Sequence, residues 1–162
     1  MKAGMAMRLL VLSDVHGRTE LLRRAIEQEP EAREVFFLGD GLRELEQVLP
    51  QFPDRRIHAV RGNCDSSLSQ EKLLDAAFCG GKKILYLHGH THGVKSGWES
   101  VLRLARDQRA DLLLFGHTHT PLCRYEDGLY VMNPGSLGYG QTYGIADLTD
   151  TGIFTDIREV RR

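Results

Sequence analysis

The most constraining feature of the sequence is a repeated pairing. Short, largely apolar runs are each followed at once by a glycine-flanked Asp, Asn or His. Arg8–Leu12 (RLLVL) leads into Ser13-Asp14-Val15-His16-Gly17. Val35–Leu38 leads into Gly39-Asp40-Gly41, and Ile57–Val60 into Arg61-Gly62-Asn63-Cys64-Asp65. Lys83–Leu87 (KILYL) ends in His88-Gly89-His90, and Leu112–Phe115 in Gly116-His117-Thr118-His119. Runs this short and this apolar read as strands covered on both faces. A chain that buries so many strands on both faces must stack sheets and helices in layers.

Between the runs the period changes from two to 3.6. A helix is expected from Thr19 to Gln28, with Leu21, Leu22, Ala25 and Ile26 on one face and Pro30 beyond its end. A second carries Leu42, Leu45, Val48 and Leu49 and stops near Pro50. A third, Trp98 to Gln108, turns Val101, Leu102 and Ala105 inward. A strand around Ala76–Cys79 turns through Gly80-Gly81 into the KILYL run. After Phe115 the pattern reads antiparallel: Leu122–Tyr125 and Leu129–Met132 flank Asp127-Gly128, and two last strands surround Thr149–Gly152. The expected class is α/β, a four-layer α/β/β/α sandwich of two mixed sheets flanked by helices.

At 162 residues, with 41% hydrophobic and 27% charged residues, the chain can bury a core without staples. One domain over residues 1–162 is expected, with 1–6 a flexible extension and Met7 an alternative start. A net charge of −1 argues against a strongly basic nucleic-acid or membrane-surface binder. The paired arginines at 23–24, 55–56 and 161–162 read as solvated surface. No apolar run approaches the ~20 residues that span a bilayer, and no secretory signal layout opens the chain. Cys64, Cys79 and Cys123 are an odd number without a CxxC pair, which points to the reducing cytoplasm. Cys79 and Cys123, in strand patterns, are expected in the core. Trp98 is read as packing, and His58 and His92 as surface or supporting residues.

Carboxyl ends of strands in α/β folds line the ligand crevice. Asp14, His16, Asp40, Asn63, His88, His117 and His119 are therefore candidates to meet at one edge. Singly, each has a plainer reading: an Asp after a strand caps a helix, and Gly-Asn makes a turn. Their recurrence at successive strand ends points to a shared metal site. Mixed Asp, Asn and His donors suit Mn²⁺, Fe²⁺, Ni²⁺ or Zn²⁺. Seven ligands exceed one tetrahedral ion and fit two divalent ions sharing a carboxylate, an arrangement that clamps a phosphoryl group and generates hydroxide near neutral pH.

The set Asp14-x-His16, Gly39-Asp40, Gly62-Asn63, His88-Gly-His90 and Gly116-His117-Thr-His119 resembles, in order, the five motifs of the calcineurin-like metallophosphoesterase superfamily. The resemblance covers about residues 8–145. The short length and the Gly-Asn-Cys-Asp form of the third motif resemble the small prokaryotic phosphodiesterase branch, which also includes a retromer scaffold subunit that has lost catalysis. The resemblance implies that Asp14, His16 and His119 bind one metal and Asn63, His88 and His117 the other, with Asp40 bridging. Manganese is the foremost candidate, and a bridging hydroxide would attack phosphorus in line. Asn63 would also touch a phosphate oxygen, and Asp65 would orient a ligand His. Asn133–Ser136 resembles the loop that follows the last metal motif and is given no catalytic role.

Cys64 departs from the pattern of larger members, which carry a His there to protonate the leaving group. A thiol near pKa ~8.5 replaces an imidazole near ~6.5 poorly. His90 is the candidate substitute, so the catalytic candidates are Asn63 and His90. Activated diesters are expected to be preferred over alkyl monoesters. The expected reaction is hydrolysis of small phosphodiesters, with no membrane and no nucleic-acid partner, by a homodimer or homotetramer. The competing readings are a non-catalytic interaction scaffold and a nuclease; intact ligands oppose the first, and near-neutral charge with no evident basic groove opposes the second.

Overall fold

In the computed structural model, which describes residues 6–162, four of the runs become inner strands of two five-stranded sheets, while Ile57–Val60, expected to be buried on both faces, falls largely in an edge strand that is only partly buried. The expectation for the first six residues falls almost wholly outside the described part; Ala6 is exposed and carries no regular structure. Along the chain the elements are β1 (Met7–Leu12), α1 (Thr19–Gln28), β2 (Glu34–Phe37), α2 (Leu42–Val48), β3 (Arg56–Ala59), β4 (Leu74–Cys79) and β5 (Lys82–Leu87). Then follow α3 (Glu99–Asp107), β6 (Leu112–Phe115), β7 (Leu122–Glu126), β8 (Leu129–Asn133), α4 (Leu137–Gly140), β9 (Thr142–Thr149) and β10 (Gly152–Glu159). A 3₁₀ turn, Leu49–Gln51, extends α2 over Pro50, and a second spans His90–His92.

The first sheet has the order β10-β9-β1-β2-β3 and the second β4-β5-β6-β8-β7. Alternation along each inner strand explains why both faces are apolar. In β1, Leu10 and Leu12 face the helices α1 and α2, while Leu9 and Val11 face the other sheet. In β6, Leu112 and Leu114 face the first sheet, and Leu113 and Phe115 face the α3 side. Each such side chain contributes roughly 1.5–3 kcal/mol on full burial. Three apolar layers between four structural layers follow directly, and the architecture is the expected α/β/β/α sandwich.

Strand direction places the site. β1, β2 and β3 run parallel, as do β5, β6 and β8. The ladders continue beyond the strand ends. Leu38 N donates to Leu12 O at 2.8 Å, Asp14 N to Gly39 O at 3.0 Å, and Gly116 N to His88 O at 2.9 Å. The loops after the strands are thus held in register as firmly as the strands themselves.

Four further expectations need correction. The region after Phe115 is not wholly antiparallel: β8 pairs parallel to β6, with Leu113 opposite Val131. Cys123 is exposed, because β7 is an edge strand whose side chains mostly face solvent; Cys79 is buried as expected. Arg55 is not solvated surface. Its guanidinium donates to Glu29 O at 2.9 Å and Ala32 O at 2.7 Å, satisfying carbonyls just past the C-terminus of α1. A short helix, α4, follows the Asn133–Ser136 loop, capped by the Ser136 hydroxyl, which accepts from Tyr139 N at 3.0 Å. Its four residues are too short to show a period.

Candidate metal centre

The seven ligand candidates come from loops after five strands and meet at one edge shared by both sheets. The ligating atoms of Asp14, His16 and His119 lie within 4.8 Å of one another, and those of Asp40, His88 and His117 do the same. Asp40 reaches toward both groups: its Oδ2 lies 3.2 Å from His88 Nε2 and 3.8 Å from His16 Nε2. Asn63 Oδ1 is 3.0 Å from His88 Nε2. All seven are brought together.

Backbone conformation shows how strongly the fold enforces this. Asp14, His16, Asp40, His117 and His119 all have positive φ, from 47° to 68°. Non-glycine residues occupy this region at a cost of about 1 kcal/mol or more each, a cost that persists only where the surroundings over-determine it. Two glycines make the close approach possible. A Cβ on Gly62 would lie 2.1 Å from Asp40 Oδ1, and one on Gly116 would lie 2.1 Å from Ser13 Oγ.

Three of the ligands, Asp14, Asp40 and His88, are aimed by a second contact. Asp14 is fully buried; its Oδ2 accepts from Ser13 Oγ at 2.6 Å and from His117 N at 3.0 Å. Its other oxygen, Oδ1, is buried with no hydrogen-bond partner and faces His119 Nε2 at 3.2 Å and His16 Nε2 at 3.4 Å. Asp40 Oδ1 accepts from Cys64 N at 2.8 Å, leaving Oδ2 for the centre. His88 Nδ1 donates to Leu38 O at 2.7 Å, which turns the Nε2 lone pair inward.

The inward atoms are ring nitrogens and carboxylate oxygens crowded against one another. His88 Nε2 meets His117 Nδ1 at 3.2 Å, and His16 Nε2 meets His119 Nε2 at 3.3 Å. Converging lone pairs with an orphaned carboxylate oxygen are what divalent cations require, and the donor set fits them. The electrostatics of the site show the same need for positive charge. Burial opposes a charged His88, yet the hydrogen bond of Asp40 and the charges of Asp14 and Asp40 raise its pKa. Burial would likewise raise Asp40, but His88, the Cys64 N–H and His16 hold it below the usual carboxylate range. Burial and the neighbouring His88 push His117 down to about 4.

His90 lies at the rim, its ring 5.4 Å from His88 and 6.2 Å from His117, with Nδ1 buried and unpartnered. His92, half-buried, pairs with the Thr91 hydroxyl, and His58 with Glu34 at 2.6 Å; neither belongs to the two ligand groups. Asp65 does not orient a histidine. Its carboxylate instead accepts backbone N–H groups from the Asp40 loop. Sequence reasoning missed three supports. Ser13 aims Asp14; Asn133 Nδ2 donates to Gly116 O at 3.0 Å; and Tyr139 stacks on His16 at 4.9 Å. Only Ser13, beside Asp14, carried a local signal.

Comparison with known proteins agrees with this geometry. Residues 7–151 match the calcineurin-like phosphoesterase superfamily domain. The probable metallophosphoesterase YsnB of Bacillus subtilis is 36% identical over 133 residues, covering 81% of this chain and 75% of that protein. Phosphodiesterase YfcE of Escherichia coli is 29% identical over 164 residues, covering 87% and 88%. In fold, a predicted phosphoesterase from Streptococcus pneumoniae superposes with a TM-score of 0.80 at 23% identity, over 98% of this chain and 95% of that one. A family match over most of the length, with the metal-ligand geometry intact, makes the chain a metal-dependent phosphoesterase of the calcineurin-like phosphoesterase superfamily.

Proposed function

We propose that the protein hydrolyses small phosphodiesters at a dinuclear centre. Asp14, His16 and His119 hold one ion, Asn63, His88 and His117 hold the other, and Asp40 is shared. The carrying observation is Asp40 Oδ2, within 4 Å of a ligand nitrogen from each group. The mix of carboxylate, amide and imidazole donors favours Mn²⁺, with Fe²⁺, Ni²⁺ and Zn²⁺ as competitors. When bound, such a pair neutralises charge on the phosphate and supplies hydroxide near neutral pH.

The chain's own groups do the rest. Ser13, the His117 N–H and the Cys64 N–H lock Asp14 and Asp40 so that one oxygen of each faces the reaction. The Asn63 amide, exposed at the rim, presents its N–H₂ to a non-bridging phosphate oxygen. His90 delivers the proton to the leaving group. Burial, and then the charge of His88, lower its pKa, so that less of His90 carries the proton near neutral pH while each imidazolium gives it up more readily. Cys64 is a poor alternative, because burial and then the Asp40 charge raise its thiol. Diesters with activated leaving groups are therefore the preferred substrates.

Three free thiols accord with work in the reducing cytoplasm. No helix among the described residues is long and apolar enough to cross a membrane. Exposed Phe78 on β4 and Phe154 on β10 offer contact points for a homodimer or homotetramer. The test is turnover of bis(p-nitrophenyl) phosphate by metal-stripped protein given Mn²⁺, Fe²⁺, Ni²⁺ or Zn²⁺, alongside metal content per chain. Turnover with two bound ions supports the reading, and no turnover with any of the four overturns it.

A further inference from the structure

A cleft of about 950 Å³ opens directly beside the metal centre, and the ligands account for only one end of it. His16 and Asp40 line that end. From there the cleft runs between α2, the edge strand β3 and the loop at residues 64–71. Its floor is apolar: Leu45, Leu49, Ile57 and Ala59 line it and belong to or pack against the core beneath α1 and α2. The last three are only partly buried. The reason is architectural. Strand β3 has no neighbour on its outer side, and α2, only seven residues long, leaves the outer part of the floor uncovered.

Leu68, 90% exposed, lines the same cleft. A large aliphatic side chain gains nothing from water there, but it adds apolar surface to a cleft that Ile57 and Leu49 also line. The rim sets a charge condition. Glu44, Glu46 and Glu71 line the cleft without a salt-bridge partner among the described residues, against a single guanidinium, Arg43. Asp65 also lines the cleft, but its carboxylate is occupied by four backbone N–H groups. A second anionic group on the substrate would enter a field of its own sign.

We infer that this cleft is the specificity site, taking one ester group of the diester: an uncharged, predominantly apolar aryl or alkyl group carrying no further phosphate. The inference rests on the phosphodiesterase reading. It adds that the group is held between Leu68 and the Ile57–Leu49 floor, and that the acidic rim excludes nucleoside polyphosphates and polynucleotides.

The test pairs binding with turnover. Diphenylphosphinate and dimethylphosphinate have two P–C bonds and cannot be hydrolysed. Their affinities for the Mn²⁺-loaded wild type and the variants Leu68→Asp and Ile57→Ser are measured by calorimetry. Bis(p-nitrophenyl) phosphate and methyl p-nitrophenyl phosphate provide the matching kinetics. Leu68→Asp alters a solvent-exposed position and leaves the core untouched. Both variants are expected to weaken diphenylphosphinate about tenfold and raise KM for the diaryl ester similarly, with kcat and dimethylphosphinate affinity within about twofold. The triple variant Glu44→Gln/Glu46→Gln/Glu71→Gln is expected to improve kcat/KM for a p-nitrophenyl ester of a nucleoside diphosphate. Unchanged diphenylphosphinate affinity in both hydrophobic variants, or equal losses for both phosphinates, overturns the cleft assignment while catalysis stands. A wild type that turns over neither ester overturns the phosphodiesterase reading and the cleft with it.

Discussion

The carboxylate of Asp65 lies beneath the backbone of Asp40: its Oδ2 accepts the Asp40 N–H at 2.7 Å and the Gly62 N–H at 2.8 Å. Its Oδ1 accepts from Gly41 and Leu42 at 2.9 and 3.0 Å, at the N-terminus of α2. One side chain therefore ties the Asp40 loop, the Asn63 loop and a helix start together. Asp65→Ala would leave four N–H groups without this partner. Metal affinity is expected to fall about 10–100-fold, as for other lost supports of ligand residues. Asp65→Asn should recover part of it. Competition with a chromogenic chelator measures both, and wild-type affinity in Asp65→Ala would refute the role.

Asp40→Asn separates charge from shape. The amide oxygen can still accept from Cys64 N, so the loop should hold. What is lost is the negative charge facing His88 and His16. Turnover is expected to fall about 10³-fold or more, with an unchanged circular dichroism spectrum and fewer ions per chain. Retained activity would count against a shared carboxylate.

Steric crowding gives a third outcome. Gly62→Ala places a methyl 2.1 Å from Asp40 Oδ1 and 2.7 Å from Asp40 N, both fixed by hydrogen bonds. Destabilisation of about 1–3 kcal/mol is expected, together with loss of metal binding. Urea denaturation and metal analysis check the pair.

Relief of lone-pair repulsion should appear as stability. At a free Mn²⁺ concentration about 100 times Kd, binding to the folded state alone adds roughly 2.7 kcal/mol. In a chain of this size that raises Tm by roughly 5–10 °C. Calorimetric scans before and after chelation measure it; a Tm indifferent to Mn²⁺ would contradict the donor-set argument.

Leaving-group chemistry tests His90. His90→Ala is expected to lower turnover of a methyl ester about 10²-fold or more, and of a p-nitrophenyl ester less than about tenfold, because nitrophenolate leaves without a proton. Equal losses on the two would exclude His90 as the acid.

Most of the fold was legible in the order of residues, for a local reason. Leu9–Leu12 (LLVL) and Leu112–Phe115 (LLLF) are apolar at every position, and only strands covered on both faces tolerate that. The ligand set was legible too, because each of its loops follows a short, largely apolar run. The misjudged features were those without a local pattern. Cys123 looked internal because it lies in a strand pattern, and only the sheet order showed that strand to lie at an edge. Tyr139 reaches His16 across more than a hundred residues, through a helix too short to have a period. Asp65 sits beside Asn63 in sequence, yet its partners are N–H groups of a loop more than twenty residues earlier. Amino-acid order by itself determined which strands form and which donors follow them, since burial and turn propensity act over a few residues. Tertiary structure alone decided which carboxylate oxygen faces the centre, what holds it there and where a cleft stays open beside it, because those depend on contacts between segments that the chain brings together only on folding.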